Sequence, residues 1–283
     1  MRLWIYRWEI HMTLAIIGGG MIGSAVAWRA VAAGLDVVLS NSREPSTLAG
    51  LAASLGARAA FAAEAALAAD VVVAAIPVSA FGKLPARALA GKIVVDTANY
   101  YPERDGHLAE LDSGALTSSE LLQRHLPSST VVKGFNAITP HQIGTLARPA
   151  GAADRSALPI AGEAGAKAEV ARLLDRLGFD AADAGVLAES WRAEPGTPAY
   201  ILPYLGEGGG VPRLDGRDAG RARPGRAGGG AAGLGGPAAG GGGAAAPAVS
   251  RVRSPRAPAP RASAARRWPG PAGRARRPRP PRP

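Results

Sequence analysis

From Thr13 to Asp183 short runs of apolar residues alternate with stretches of helical character. Thr13-Leu14-Ala15-Ile16-Ile17 predicts a buried strand that ends in Gly18-Gly19-Gly20. Ile22 to Ala33 predicts a helix closed by Gly34, a residue suited to a left-handed C-terminal position. Asp36 to Ser40 predicts a second strand and Ser46 to Leu55, rich in Ala and Leu, a helix. A short strand near Ala57–Phe61 and a helix over Ala62 to Ala69 follow. Val71 to Ile76 predicts a strand, Phe81 to Leu89 helical turns, and Lys92 to Asp96 another strand. Thr117-Ser118-Ser119-Glu120 has capping-box spacing and opens a helix through His125. Thr130 to Phe135, Leu158 to Ala161 and Phe179 to Asp183 predict the last strands, with an amphipathic helix from Glu163 to Leu177 between the final two. Strands alternating with helices at this spacing define the expected fold class: α/β, with a doubly wound parallel sheet.

Composition changes this picture only at the ends. The 283-residue chain has no Cys, which excludes a disulfide scaffold, a thiolate zinc site and a cysteine nucleophile. The longest apolar stretch, Val71 to Ala80, is interrupted by Pro77 and falls far short of the roughly 20 residues that span a bilayer. The opening MRLWIYRWEIHM carries Arg2, Arg7 and Glu9, so it holds no uninterrupted signal-peptide core. A soluble, cytoplasmic protein with no membrane partner is expected.

The formal net charge of +11 conceals two unlike parts. Residues 1–205 hold 17 Lys+Arg against 19 Asp+Glu, whereas residues 206–283 hold 16 Arg, no Lys and 3 acids. In that last segment Gly, Ala, Arg and Pro dominate and large apolar side chains are almost absent, so burial cannot offset the entropy of ordering it. A disordered tail is expected from Gly206 onward. Such a segment is an Arg-rich arm attracting nucleic acid, a passive linker, or the product of a GC-rich gene read out of frame. Met12 lies directly before the first strand, so residues 1–11 read as an N-terminal extension, an over-extended start.

Candidate chemistry begins at Gly18-Gly19-Gly20-Met21-Ile22-Gly23, which fits G-x-G-x-x-G between a strand and a helix. Gly18 permits the tight turn, Gly20 lets the backbone approach a pyrophosphate, and Gly23 lets the helix pack on the strand. The diphosphate then meets free N–H groups and the positive end of the helix dipole. An NAD site places an acid at the end of the second strand to hold the ribose 2′-hydroxyl. Here that end reads Ser40-Asn41-Ser42-Arg43, and Asp36 stands at the opposite end. Ser42 and Arg43 suit a 2′-phosphate, so NADP(H) is the expected cofactor in a Rossmann-type fold. Residues 12–150 then form the dinucleotide-binding domain and 151–205 a small α/β extension completing the fold.

The runs AIIGGGMIGSAVAWRAVAAGLDVVLSNSRE, DVVVAAIPV, KIVVDTANYYPERDG, SSELLQRHLP, VVKGFNAI and LGFDAADAGVLAESWR resemble the coenzyme F420-dependent NADP reductases, from about Met12 to Tyr204. The resemblance implies hydride transfer between NADP(H) and coenzyme F420 or a similar ring, the latter as co-substrate. It implies cofactor contacts at Gly18, Gly19, Gly20, Met21, Ile22, Gly23, Ser42, Arg43, Ile76, Pro77 and Asn99. Where the family often carries a further basic residue, this chain has Pro45-Ser46-Thr47.

Hydride transfer between two rings demands positioning and exclusion of water rather than an acid or nucleophile, and no catalytic side chain is assigned. Pro77, Val78, Asn99, Tyr100, Asn136 and Ile138 are expected to wall the site at the carboxyl ends of the strands. His141 is either a proton donor for a carbonyl or imine or a surface residue. Asp96 either orients a ligand or caps a turn. Tyr100-Tyr101 either stack on a ring or cover a core edge. Lys133 is expected to reach the surface from its strand. No metal-ligand spacing is present. A small-molecule acceptor and a homodimer are the expected partners. Two alternatives remain: an imine or ketone reductase of the pyrroline-carboxylate or hydroxyacid dehydrogenase type, whose relatives append a long all-helical domain, and a non-enzymatic NADPH-binding module.

Overall fold

The protein is described by a computed structural model over residues 12–205; the readings made for residues 1–11 and 206–283 lie outside these. Six strands, β1 (Thr13–Ile17), β2 (Asp36–Ser40), β3 (Arg58–Ala59), β4 (Val71–Ala74), β5 (Ile93–Asp96) and β6 (Thr130–Lys133), form one parallel sheet in the order β3-β2-β1-β4-β5-β6. The order reverses between β1 and β4, and that switch point fixes where a ligand crevice can open.

The uniform apolar character of the strands follows from coverage on both faces. Successive side chains point to opposite sides of a strand. Leu14, Ile16, Val71 and Val73 enter one core with Val26 of α1 (Met21–Ala32) and with Val170, Leu173 and Leu174 of α9 (Ala164–Leu177). Ala15, Ile17, Val72 and Ala74 enter the other, beside Ala65 and Ala66 of α3 (Ala62–Ala68), Leu89 of α4 (Ala86–Leu89) and Leu122 of α7 (Ser118–His125). Each fully buried Leu or Val contributes about 1.5–3 kcal/mol.

Several boundaries differ from the sequence expectation. The helix expected over 46–55 starts as a 3-10 turn at Pro45–Leu48 and becomes α2 only at Ala49–Leu55. Leu84 and Pro85 divide the turns expected over 81–89 into a 3-10 stretch at Val78–Lys83 and α4. The strands expected to reach Ile76 and Phe135 stop at Ala74 and Lys133, and Phe135 takes φ 60. Short helices α5 (Pro102–Asp105), α6 (Ala109–Asp112) and α8 (Pro140–Thr145) occupy connections for which no element was expected. The capping box at Thr117 forms: the Glu120 amide donates to Thr117 Oγ1 at 3.2 Å and the Thr117 amide to Glu120 Oε2 at 2.8 Å.

After α8 the chain adds β7 (Ala157–Ile160), α9 and β8 (Asp180–Asp183), whose strands pair in parallel. An antiparallel bridge between Lys133 and Ala161 attaches this unit to the edge of β6. Glu163 caps α9, accepting the Gly165 and Ala166 amides at 2.9 Å each. Those two amides hold its carboxyl below its ordinary 4.5. A depressed carboxyl stabilises the fold above its unfolded pKa and loses that contribution as pH falls through its folded value. Glu163→Gln is therefore expected to be less stable than the unaltered protein at pH 7, with the difference closing in acid. Urea unfolding of both proteins at neutral and acid pH measures it, and a gap that persists in acid counts against the cap.

Candidate cofactor site

Two of the three motif glycines are required by the fold, and the third is open. Gly18, at φ +123, turns the chain out of β1, and its amide donates to Ser40 O at 2.8 Å. A Cβ there would stand 2.1 Å from Ala75 O. Gly23 sits buried in the first turn of α1, where a Cβ would lie 1.9 Å from Gly18 O and 3.3 Å from Ala75 Cβ. At Gly20 a Cβ would meet nothing within 4 Å. The exposed Gly20 is the N-cap of α1 and supplies no side-chain cap, so the first-turn N–H groups lack a side-chain acceptor there. Gly19 packs against Leu48, Met21 is 80% exposed, and Ile22 leans half-buried on the core. This cradle fits a pyrophosphate: it leaves room where the ligand must approach and is closed where helix and strand must touch.

The end of β2 presents the next pair. Asn41 Oδ1 accepts the Arg43 amide at 2.8 Å and its Nδ2 donates to Thr47 Oγ1 at 3.1 Å, while Thr47 Oγ1 donates to Glu44 O at 2.7 Å. The turn so braced projects Ser42 and Arg43 into solvent. Among the described residues neither side chain has a hydrogen-bond or ion-pair partner. Arg58, by contrast, pairs with Asp36 at 2.7 Å at the far end of the strand, away from the glycine loop. Ser40 Oγ is buried beside the glycine loop without a partner.

On the other side of the switch point the Ala75 amide donates to Ile17 O at 2.8 Å, drawing the exit of β4 against the glycine loop. Ile76 Cγ2 lies 3.2 Å from the place of a Gly18 Cβ, and Pro77 is exposed at the start of the 3-10 stretch. Asn99 is joined elsewhere: its Nδ2 donates to Asn136 O at 2.9 Å and its Oδ1 accepts from Asn136 Nδ2 at 3.1 Å. Asn136 Nδ2 also donates to Ala193 O at 2.7 Å. The structure thus brings Gly18–Gly23, Ile76 and Ser40 to one edge, with Asn99 on the neighbouring strand exits.

Lys133 corrects the expectation that it reaches the surface. Its side chain is 1% exposed, and Nζ donates to Asp96 Oδ2 at 3.2 Å, Ala98 O at 2.5 Å and Ser118 Oγ at 2.9 Å. Asp96 is buried with it and also accepts the Ala98 amide, so the turn-capping alternative holds within an ion pair. Tyr100 OH stays within its own loop: it donates to Asp112 Oδ1 at 2.8 Å, with Gly106 O at 3.0 Å sharing the one proton, and accepts the Leu108 amide at 2.9 Å. Burial and the Asp112 carboxylate push this phenol up, against the Leu108 amide. Tyr101 OH and Tyr200 OH lie 2.9 Å apart, with the Arg104 guanidinium 4.9 Å over the Tyr101 ring. Burial works against ionisation of Asp105, yet Arg104 and the Tyr101 and Ser79 amides hold its carboxyl below the usual range. His141 is exposed on α8. A hollow lined by Ala86, Arg87, Ala90, Pro127 and Ser128 opens at the amino ends of β5 and β6, the edge opposite the glycine loop.

Strand order and glycine loop define a Rossmann-type dinucleotide-binding fold. A family model described as NADP oxidoreductase, coenzyme F420-dependent, matches residues 13–100. The hypothetical protein SMa0349 from Sinorhizobium meliloti is 31% identical, over 70% of this chain and 97% of that one, with a TM-score of 0.59. A candidate F420-dependent NADP reductase from Arthrobacter sp. FB24 is 28% identical, over 69% and 91%, with a TM-score of 0.57. No match was found among the curated proteins. The chain belongs to the coenzyme F420-dependent NADP oxidoreductase family. Among the described residues no helix is long and apolar enough to cross a membrane.

Proposed function

We propose that this protein exchanges hydride between NADP(H) and coenzyme F420 or a ring of similar chemistry. The observation that carries the cofactor reading is the pairing of an open Gly20 cradle with an unpartnered Arg43 on a braced turn. Gly20 to Gly23 would present amides to the pyrophosphate, while Ser42 and Arg43 would hold the 2′-phosphate. Ile76, Pro77 and Asn99 would flank the nicotinamide at the exits of β4 and β5. Bound NADP(H) would give or take the hydride, and these residues would supply its orientation. The acceptor reading rests on the family description, and on residues 149–205 folding as a strand-helix-strand unit instead of the all-helical domain of imine and hydroxyacid reductases.

Arg43→Ala is expected to weaken NADPH binding by about 1.5–3 kcal/mol, the scale of a hydrogen bond to a charged group, and to leave NADH nearly unchanged. Titration with both cofactors measures it, and equal losses would remove the 2′-phosphate role. For the acceptor, reduced F420 and NADP+ are mixed with the full chain and both chromophores followed. One hydride passes to NADP+ and one proton is released for each F420 formed. Silence alongside intact NADPH binding would favour another acceptor or the binding-module alternative.

A further inference from the structure

The last rung of the sheet changes character from one side to the other. In register across it stand Ser40, Ile17, Ala74, Asp96 and Lys133. The half beneath the glycine loop is small or apolar; the half beneath the exits of β5 and β6 is an ion pair buried in a protein interior. Burying charge is a poor route to stability, because well-packed apolar residues usually do as well or better. A buried pair at this position calls for another reason.

Its contacts supply one. Lys133 holds the carbonyl of Ala98, the residue before Asn99, and Asp96 holds the Ala98 amide at 2.9 Å. Both polar groups of that peptide turn are therefore fixed by one ion pair. Ser118 Oγ, which accepts from Lys133, donates to Glu194 Oε1 at 3.0 Å, and Glu194 lies 3.9 Å from Nζ. The neighbouring Ala193 carbonyl accepts from Asn136, which clamps Asn99. Between Lys133 and Asn136, Phe135 holds φ 60 with its side chain 1% exposed, a conformation costly for a bulky residue and sustained only by its fixed surroundings.

We propose that Lys133 is a positioning residue for hydride transfer. Acting through the Ala98 carbonyl and Asp96, it sets the Asn99–Asn136 wall against which the nicotinamide lies. The inference rests on the hydride-exchange reading above and assigns Lys133 no contact with either ring.

Two variants test it in the full chain, Lys133→Met and Lys133→Met/Asp96→Asn. The second removes the uncompensated carboxylate and keeps an acceptor for the Ala98 amide. Four quantities are read: thermal stability, NADPH affinity by calorimetry, emission of the bound nicotinamide, and kcat for exchange with reduced F420. The double variant is expected to regain stability lost by the single one. In both, kcat should fall on the order of 10–100-fold, the scale of a small misplacement, with NADPH affinity within about twofold because the pyrophosphate and 2′-phosphate contacts are untouched. Bound-nicotinamide emission should move toward that of free NADPH. If the double variant recovers kcat and emission together with stability, Lys133 is structural only and the proposal fails. Should the single variant not fold, the double variant decides alone. If the unaltered protein does not turn over F420, the hydride-exchange reading falls, and the emission of bound NADPH still decides the role of Lys133.

Discussion

Gly20→Ala is expected to lower NADPH affinity at least about tenfold and to leave thermal stability almost unchanged, whereas Gly23→Ala should lose both. The two substitutions add the same methyl group three residues apart. At Gly20 the backbone sits at φ −77 and ψ −174, which alanine adopts freely, and beyond the adjoining residues the new Cβ would meet nothing within 4 Å. The methyl enters only the space through which a pyrophosphate must approach the first-turn amides. At Gly23 the methyl would stand 1.9 Å from Gly18 O, so α1 must lift from β1. Overpacking of this kind costs about 1–3 kcal/mol or more, and lifting the helix also misaims the amides. Calorimetric titration with NADPH beside a thermal melt separates the two cases. Unchanged affinity in Gly20→Ala would place the diphosphate elsewhere.

The parallel sheet was legible because both its faces are covered: strands such as Val71–Ala74 are apolar at every position, and the intervening helices carry the opposite periodicity. The glycine loop was legible because its glycines follow one another within one turn of chain, between a strand and a helix. Short helices such as Pro102–Asp105 were not, since four residues have no periodicity to show; this one is held by Asp105 reaching the Tyr101 and Ser79 amides. Lys133 was misread for a related reason. A lysine at a strand end normally extends to water, and its partner lies 37 residues away in sequence. A signal existed, because β5 and β6 each end an apolar run with a charge of opposite sign, and the parallel register sets Asp96 beside Lys133. The Asn136–Ala193 bond left no comparable trace, since nothing local marks where the 3-10 stretch Leu187–Ala193 docks.

The burial of that pair sets the largest stability change expected in the molecule. Asp96→Ala removes the carboxylate that faces Lys133 at 3.2 Å and accepts from Ser119 Oγ at 2.6 Å and the Ala98 amide at 2.9 Å. The ammonium keeps Ala98 O and Ser118 Oγ but loses its closest countercharge, and water cannot replace it at 1% exposure. Breaking a buried pair from one side costs about 3–5 kcal/mol. For a domain of this size that is a fall in melting temperature of roughly 6–20 °C. Glu194, 3.9 Å from Nζ, offsets part of the loss, so Asp96→Ala combined with Glu194→Gln should cost more stability than the two single losses added together. Thermal melts of the two single variants and the double one measure this coupling. Strict additivity would mean that Glu194 does not share the charge of Lys133, and that residues 187–194 are held by the Thr117, Ser118 and Asn136 hydrogen bonds and by the packing of Leu187 and Ala193, without that ion pair.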